Sequence, residues 1–175
     1  VPDSIPLTIR SGGLDDVAAV LALMDQATEW LVSIGREDQW GSEPHSTNPK
    51  RIAQIEGFAR GGGLWIAERD AAVVGALSVG EALPYVPPAE EPELYVQLLI
   101  SDRSTSGRGA GAALLARARE LALAQGVALI RLDCFAGGEG ALVRYYEKQG
   151  FTRGDTFSVE QPGREWPGQI LTRRW

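Results

Sequence analysis

Six consecutive residues, Ser106-Gly107-Arg108-Gly109-Ala110-Gly111, carry the first chemical signal in this chain. Glycine at alternate positions permits positive φ and lets successive backbone N–H groups face one centre, which suits an anion. The apolar-periodic stretch that follows reads as a helix, whose N-terminus adds unpaired donors and a partial positive charge. With Arg108 and Arg103 contributing charge, the segment has the makings of a pyrophosphate cradle. The alternative is a glycine-rich turn that only starts a helix. A nucleotide P-loop would need Gly-x-x-x-x-Gly-Lys-Ser/Thr, and no such Lys-Ser/Thr pair is present. The dinucleotide fingerprint comes closer through Gly109 and Gly111, with Asp133 about 20 residues on in the place of a ribose-binding acid. Leu114, however, stands where its third glycine belongs, and 42 residues after Asp133 are too few for the remaining βα units.

Other reactive side chains are few. Cys134 is the single cysteine and His45 the single histidine, which excludes an intrachain disulfide and leaves no Cys/His zinc set. A Ser-His-Asp triad has no support from one histidine in a polar stretch. Cys134 ends an apolar run and reads as a small buried hydrophobe, and His45 as a surface loop residue. Net charge is −6 with no Lys/Arg run, which argues against a nucleic-acid partner. No window reaches 18 apolar residues, so no transmembrane helix is expected, and Val1–Pro6 has neither a basic n-region nor an apolar h-region. The cytoplasm is the default compartment.

The elements that must position these residues follow from periodicity. Leu7–Arg10 reads as a first strand, and apolar residues at 17, 20, 21, 24, 27, 28 and 31 trace one helical face ending at Gly35. A polar stretch and a weaker helix, Pro49–Ala59, come next. Leu64–Glu68 and Val73–Val79 form a hairpin. Four prolines make 82–92 a loop, and Leu94–Ser101 is a central strand buried on both faces. A helix follows the glycine segment, with Leu114, Leu115, Ala118, Leu121 and Ala122 inward. Strand Leu129–Cys134, a helix over about 140–148 and strands 151–159 and 169–174 complete the order βααβββαβαββ. At 175 residues this is one α+β domain, 1–175, with a mixed, mostly antiparallel central sheet flanked by about four helices.

Two boxes in that order resemble a known family. Tyr95–Gly111 with Ala112-Ala113-Leu114-Leu115 is similar to the acyl-CoA motif of the GNAT superfamily of N-acetyltransferases, Q/R-x-x-G-x-G/A at a strand–helix junction. Tyr145-Tyr146-Glu147-Lys148-Gln149-Gly150-Phe151 resembles its Y-E-K-x-G-F box. The resemblance covers nearly the whole chain and implies an acetyl-CoA-dependent N-acetyltransferase without a metal. Pantetheine would pair with Leu99, Ile100 and Ser101, the pyrophosphate would lie on Ser106, Gly107, Arg108, Gly109, Ala110 and Gly111, and Tyr146 would be the general acid for the leaving thiolate, with Tyr145 as the packing alternative. Ser106 departs from the usual Gln/Arg, and Glu139 stands where an Asn often contacts the cofactor.

Amine acetylation needs a deprotonated amine, donors for an oxyanion, and a proton for the thiolate. A phenol suits the last task. For the base, the resemblance favours Glu93 at the start of the central strand, with Glu81, Asp133 or a water chain as alternatives. It also places the acceptor between the first two helices and loop 82–92, where Trp30, Asp38, Gln39, Trp40, Glu43 and Tyr85 would offer an aromatic, acidic wall to a cationic amine. A small-molecule primary amine attacking directly is the first expectation. A protein or peptide amine, or a non-catalytic acyl-CoA-binding module, is the alternative. Trp175 could pair across a homodimer or pack on its own chain.

Overall fold

The computed structural model describes residues 5–175; Val1–Ser4, and with them most of the N-terminal segment read above, lie outside. Seven strands form one sheet in the order β1-β2-β3-β4-β5-β7-β6. They are β1 (Leu7–Ser11), β2 (Leu64–Arg69), β3 (Ala72–Gly80), β4 (Leu94–Ser101), β5 (Leu129–Phe135), β6 (Thr152–Gln161) and β7 (Arg164–Arg174). The helices are α1 (Val17–Ser33), α2 (Glu37–Trp40), α3 (Pro49–Arg60), α4 (Ala110–Ala124) and α5 (Ala141–Lys148). Neighbouring strands are antiparallel except β4 and β5, joined in parallel through α4. The fold is therefore the expected mixed α+β sheet, with one short helix, α2, added in the polar stretch after Gly35.

The two faces of the sheet carry separate cores. On one, Leu114, Ala118, Ala122, Val143 and Tyr146 of α4 and α5 cover Leu94, Val96, Ile130 and Leu132. On the other, Val20, Met24, Ile55 and Ala59 of α1 and α3 cover Leu64, Ile66, Ala76 and Ile100. A third, smaller cluster, Val86, Tyr95 and Ile170, lies beneath the proline-rich loop.

β4 changes character midway. Val96 and Leu98 would share a face in a regular strand, yet they belong to opposite cores. The cause is a bulge at Gln97: Ser78 pairs with Leu98 and Val79 with Val96, so Gln97 has no opposite residue. Its side chain is held, with Ser78 Oγ donating to Oε1 at 2.8 Å and Nε2 donating to the Glu81 carbonyl at 2.9 Å. On the other edge, β4 pairs with β5 only over Leu94–Val96. Beyond that point the two strands part.

Two expectations need correction. β7 begins at Arg164, not 169, and 160–168 is a hairpin rather than a loop. Pro167 is tolerated there because its carbonyl accepts from Ala136 N past the end of β5, so the missing N–H on that side breaks no ladder bond. His45 is not a surface residue: it is 5% exposed. Its Nδ1 accepts from Arg51 Nε at 3.2 Å, so the ring proton sits on Nε2 and donates to Thr28 Oγ1 at 2.9 Å. Trp40 packs edge-on against the ring at 4.8 Å. Trp175 packs on its own chain against the α4-side core, under Arg119.

Burial, and then the Arg51 charge, hold the His45 pKa below the ordinary 6.5. A depressed pKa contributes stability that is present above pH 6.5 and lost as pH falls toward the folded-state value. The urea midpoint should therefore drop between pH 6.5 and 5.5, and the slope in that window should flatten in His45→Gln. Parallel pH profiles for the two proteins would show that the histidine is not the titrating group.

Candidate active site

The parting of β4 and β5 opens a cleft of about 1060 Å³ through the middle of the sheet. One wall is Val96–Ser101 of β4 and the other Leu132–Phe135 of β5. Past Val96, the β5-facing edge of β4 has no strand partner, so Leu99 and Ser101 turn their peptide groups to the cleft, while Ile100, alternating with them, faces Ala76 of β3.

On the α4 side the glycine segment reaches the cleft through Gly111. Gly107 is there because nothing larger fits: a Cβ would overlap the Asp102 carbonyl oxygen. Gly109 caps α4 with φ of 82°, a left-handed conformation that favours glycine. Arg69 braces the loop from behind, donating to the carbonyls of Ser106 at 2.5 Å and Arg108 at 3.0 Å. Ahead of that cap the chain makes a short 3-10 turn over Thr105–Gly107, with Gly107 N donating to the Ser104 carbonyl at 3.1 Å. Arg108 is exposed beside it. The segment thus joins a braced glycine loop to the N-terminus of α4, the arrangement expected of an anion cradle, and Ser106 in place of a longer side chain does not alter that backbone.

Both tyrosines of the second box line the cleft. Tyr146 is the packed one, edge-on to Phe151 at 5.9 Å and 7% exposed, and burial drives its pKa upward. Tyr145 is exposed, and its hydroxyl lies over Gly111, where a Cβ would collide with it. Glu139 is exposed with φ of 63°, between two glycines that also have positive φ, a backbone state that asparagine tolerates better than glutamate. Cys134 is buried as expected, with its thiol pushed up to about 12 by burial.

Asp133 lies on the β5 wall. Tyr95 Oη donates to its Oδ1, and Tyr85 Oη approaches Oδ2 at 3.5 Å. Burial raises its pKa above the usual carboxylate value, against the lowering effect of the two phenols. Glu93 is placed differently. Arg131 Nε and Nη2 donate to its two oxygens at 2.5 and 2.9 Å, and Glu93 does not line the cleft. The side chains of this pair are only 7% and 15% exposed. With both oxygens engaged by a guanidinium, Glu93 is committed to structure, which overturns the expectation that it faces the amine.

On the α1–α3 side the structure brings Trp30, Gln39, Trp40 and Tyr85 to the cleft and leaves Asp38 and Glu43 out of its wall. Asp38 turns inward, with Oδ1 buried and unpaired. The face of Trp30 is covered by Arg103, 3.3 Å from the ring centroid. Sequence reasoning missed Trp166, Arg164 and Val159, which reach the cleft because the β6–β7 hairpin is long. That hairpin is tied across to α2: Trp166 Nε1 donates to the Gln39 carbonyl at 2.9 Å, and Arg164 Nη2 to that of Glu37 at 3.1 Å.

A parted parallel strand pair with a backbone anion cradle at its mouth defines an acyl-CoA transferase architecture. The sequence profile of the acetyltransferase (GNAT) family matches residues 24–151, and the chain belongs to that family. It is thus an N-acetyltransferase with acetyl-CoA as co-substrate. Among solved structures, the ribosomal-protein-alanine N-acetyltransferase of Brucella melitensis is similar over 96% of this chain and 99% of its own, with 24% identity and a TM-score of 0.69. The Salmonella typhimurium protein yncA, solved with acetyl-CoA, shares 18% identity over 97% of this chain and 94% of its own, with a TM-score of 0.66. A protein provisionally named a phosphinothricin N-acetyltransferase shares 24% identity over 97% and 98% of the two chains, also at 0.66. No curated protein matches in a sequence search.

The cradle makes a direct prediction. Gly107→Ala must displace the Asp102 backbone, so acetyl-CoA should bind at least roughly tenfold more weakly by calorimetry, with a change in Tm of only a few degrees. Unchanged affinity would show that the loop does not hold the pyrophosphate.

Proposed function

We propose that this protein acetylates the primary amine of a small molecule by direct attack, with Asp133 as the general base and Tyr146 as the proton donor to the leaving thiolate. The observation that carries the reading is that Asp133 of β5 and Tyr146 of α5 line one cleft, while Glu93 is withheld by Arg131. When bound, acetyl-CoA supplies an activated thioester carbonyl. Leu99 and Ser101 hold the pantetheine by the peptide groups they turn to the open edge, with Ile100 between them paired to β3, and Ser106–Gly111 with Arg108 hold the pyrophosphate. The free N–H groups of the same edge serve as donors to the carbonyl oxygen.

The ammonium of an ordinary amine, with a pKa of about 10.4, must lose a proton before it attacks. Asp133 Oδ is the acceptor for that proton. Burial raises its pKa, which brings it nearer to the amine it must deprotonate and makes it a stronger base than a solvated carboxylate. The two phenols orient the carboxylate and leave it with lone pairs toward the cleft. Tyr146 keeps its proton until the thiolate forms, since burial opposes its ionisation. A small acceptor is supported by the bridge from Trp166 and Arg164 to α2, which closes the acceptor side.

Tyr146→Phe should lower kcat by roughly 10²- to 10⁴-fold while calorimetry shows acetyl-CoA affinity largely retained. In the wild type, kcat should fall on the acid side as Asp133 takes up its proton, at a pH above that of an ordinary carboxylate because its pKa is raised. Asp133→Asn should remove that limb together with most of the activity. Glu93→Gln should leave the limb in place and instead destabilise the fold by about 3–5 kcal/mol, the cost of stranding a buried guanidinium. An acid limb that survives Asp133→Asn and disappears in Glu93→Gln would reverse the assignment.

A further inference from the structure

The chain carries 17 Lys and Arg against 23 Asp and Glu. The cleft reverses that balance: Arg36, Lys50, Arg51, Arg103 and Arg164 line it, and Asp133 is the one carboxylate there among the described residues. Arg103 is engaged with Trp30, and Arg164 with the Glu37 carbonyl. Arg51 is different. The Asn48 cap and Pro49 start α3 so that Arg51 falls in its first turn. Its Nε donates to His45 Nδ1 at 3.2 Å and its Nη1 to Gln54 Oε1 at 2.6 Å. Both acceptors are neutral, so the guanidinium is fixed in direction and only partly buried, yet its charge meets no carboxylate among its hydrogen-bond partners. Burial lowers its pKa, the mark of a cation without a counter-ion.

Arg51 stands next to the reaction. Arg51, Tyr85 and Asp133 line the same cleft, with the Tyr85 hydroxyl approaching Asp133 at 3.5 Å and itself acted on by the Arg51 charge. The phosphates of acetyl-CoA do not account for it. Their cradle is at the N-terminus of α4, whereas α3 covers the opposite face of the sheet. A bare cationic amine would enter this wall against repulsion from five cations. An amine that brings its own anion would be attracted and oriented by it.

We propose that the acceptor is an amine bearing an oxyanion, seated on Arg51 with Lys50 and Arg36 alongside, which turns its nitrogen toward Asp133. The inference rests on the acetyl-transfer reading above and narrows its substrate class.

The test compares kcat/KM, by CoA release, for matched pairs: L-amino acids against their amides, and 2-aminoethylphosphonate against its diethyl ester. The anionic member of at least one pair should be preferred by roughly 10- to 100-fold, and the pair that shows it identifies the oxyanion. Arg51→Gln should erase the preference and Arg51→Lys should keep part of it. Equal or better turnover of the amides, or of peptides with a free N-terminus and blocked carboxylate groups, overturns the proposal. Where no amine in the panel releases CoA, N-acetyl amino acids and their amides are titrated by calorimetry onto the protein with and without CoA. Tighter binding of the acids, lost in Arg51→Gln, supports the oxyanion seat, and equal binding overturns it. Absent binding of acetyl-CoA itself in the same titration marks failure of the cofactor reading, which is a separate result.

Discussion

Everything at the site depends on one backbone constraint: β4 and β5 pair only as far as Val96 and Leu132 and then separate. Peptide groups in the middle of a sheet are ordinarily consumed by neighbours, and leaving them unpaired is costly unless something else accepts them. Here the separation is built in. The bulge at Gln97 re-aims the rest of β4 so that Leu98 and Ile100 serve the α1–α3 core, and β7 alone continues to pair with Asp133–Phe135. The strands are thus drawn toward different partners, and the edge of β4 that faces the cleft is left without a ladder.

The same geometry explains why two acids of similar type have different tasks. Tyr95 is fully buried, and its hydroxyl reaches Asp133 while Arg131 lies 5.4 Å from its ring. A guanidinium at this depth is tolerated only with a counter-ion of good geometry, and Glu93 with the Pro87 carbonyl supplies it. Glu93 is therefore spent on neutralising Arg131 next to the cleft. Asp133 accepts from two phenols and from its own backbone N–H, and burial raises its pKa against these bonds and the through-space charge of Arg131. Glu93 takes the hydrogen bonds of the guanidinium, whereas Asp133 feels the same cation only through space.

Much of this was legible in the sequence, for a physical reason. The glycine spacing at 107, 109 and 111 and the apolar periodicity of α4 are local signals, and local signals determine strand–turn–helix units. What the sequence hid was set by long-range pairing. Glu93 precedes Arg131 by 38 positions, and nothing in either neighbourhood shows that they meet. His45 lies in a polar stretch, and its burial comes from Thr28, Trp40 and Arg51 folding around it. The strands read at 151–159 and 169–174 extend to a long hairpin, in which Pro167 sits past the end of β5, where a strand can lack an N–H on that side. The cationic wall was hidden for the same reason, since its members come from α2, α3, the β4–α4 loop and β7.

An acidic chain with a basic cleft has consequences for encounter as well as for fit. The exterior repels anions at long range, with a screening length of about 8 Å at physiological ionic strength. Within the cleft, low-dielectric walls of Trp30, Trp40 and Trp166 strengthen whatever charge lines them. A small zwitterion has no net charge to be repelled by the exterior, and inside it meets cations for its anion and Asp133 for its ammonium. A free anion lacks the first advantage, and a polyamine the second. On the proposed reading, this charge pattern favours a molecule carrying both signs at short range.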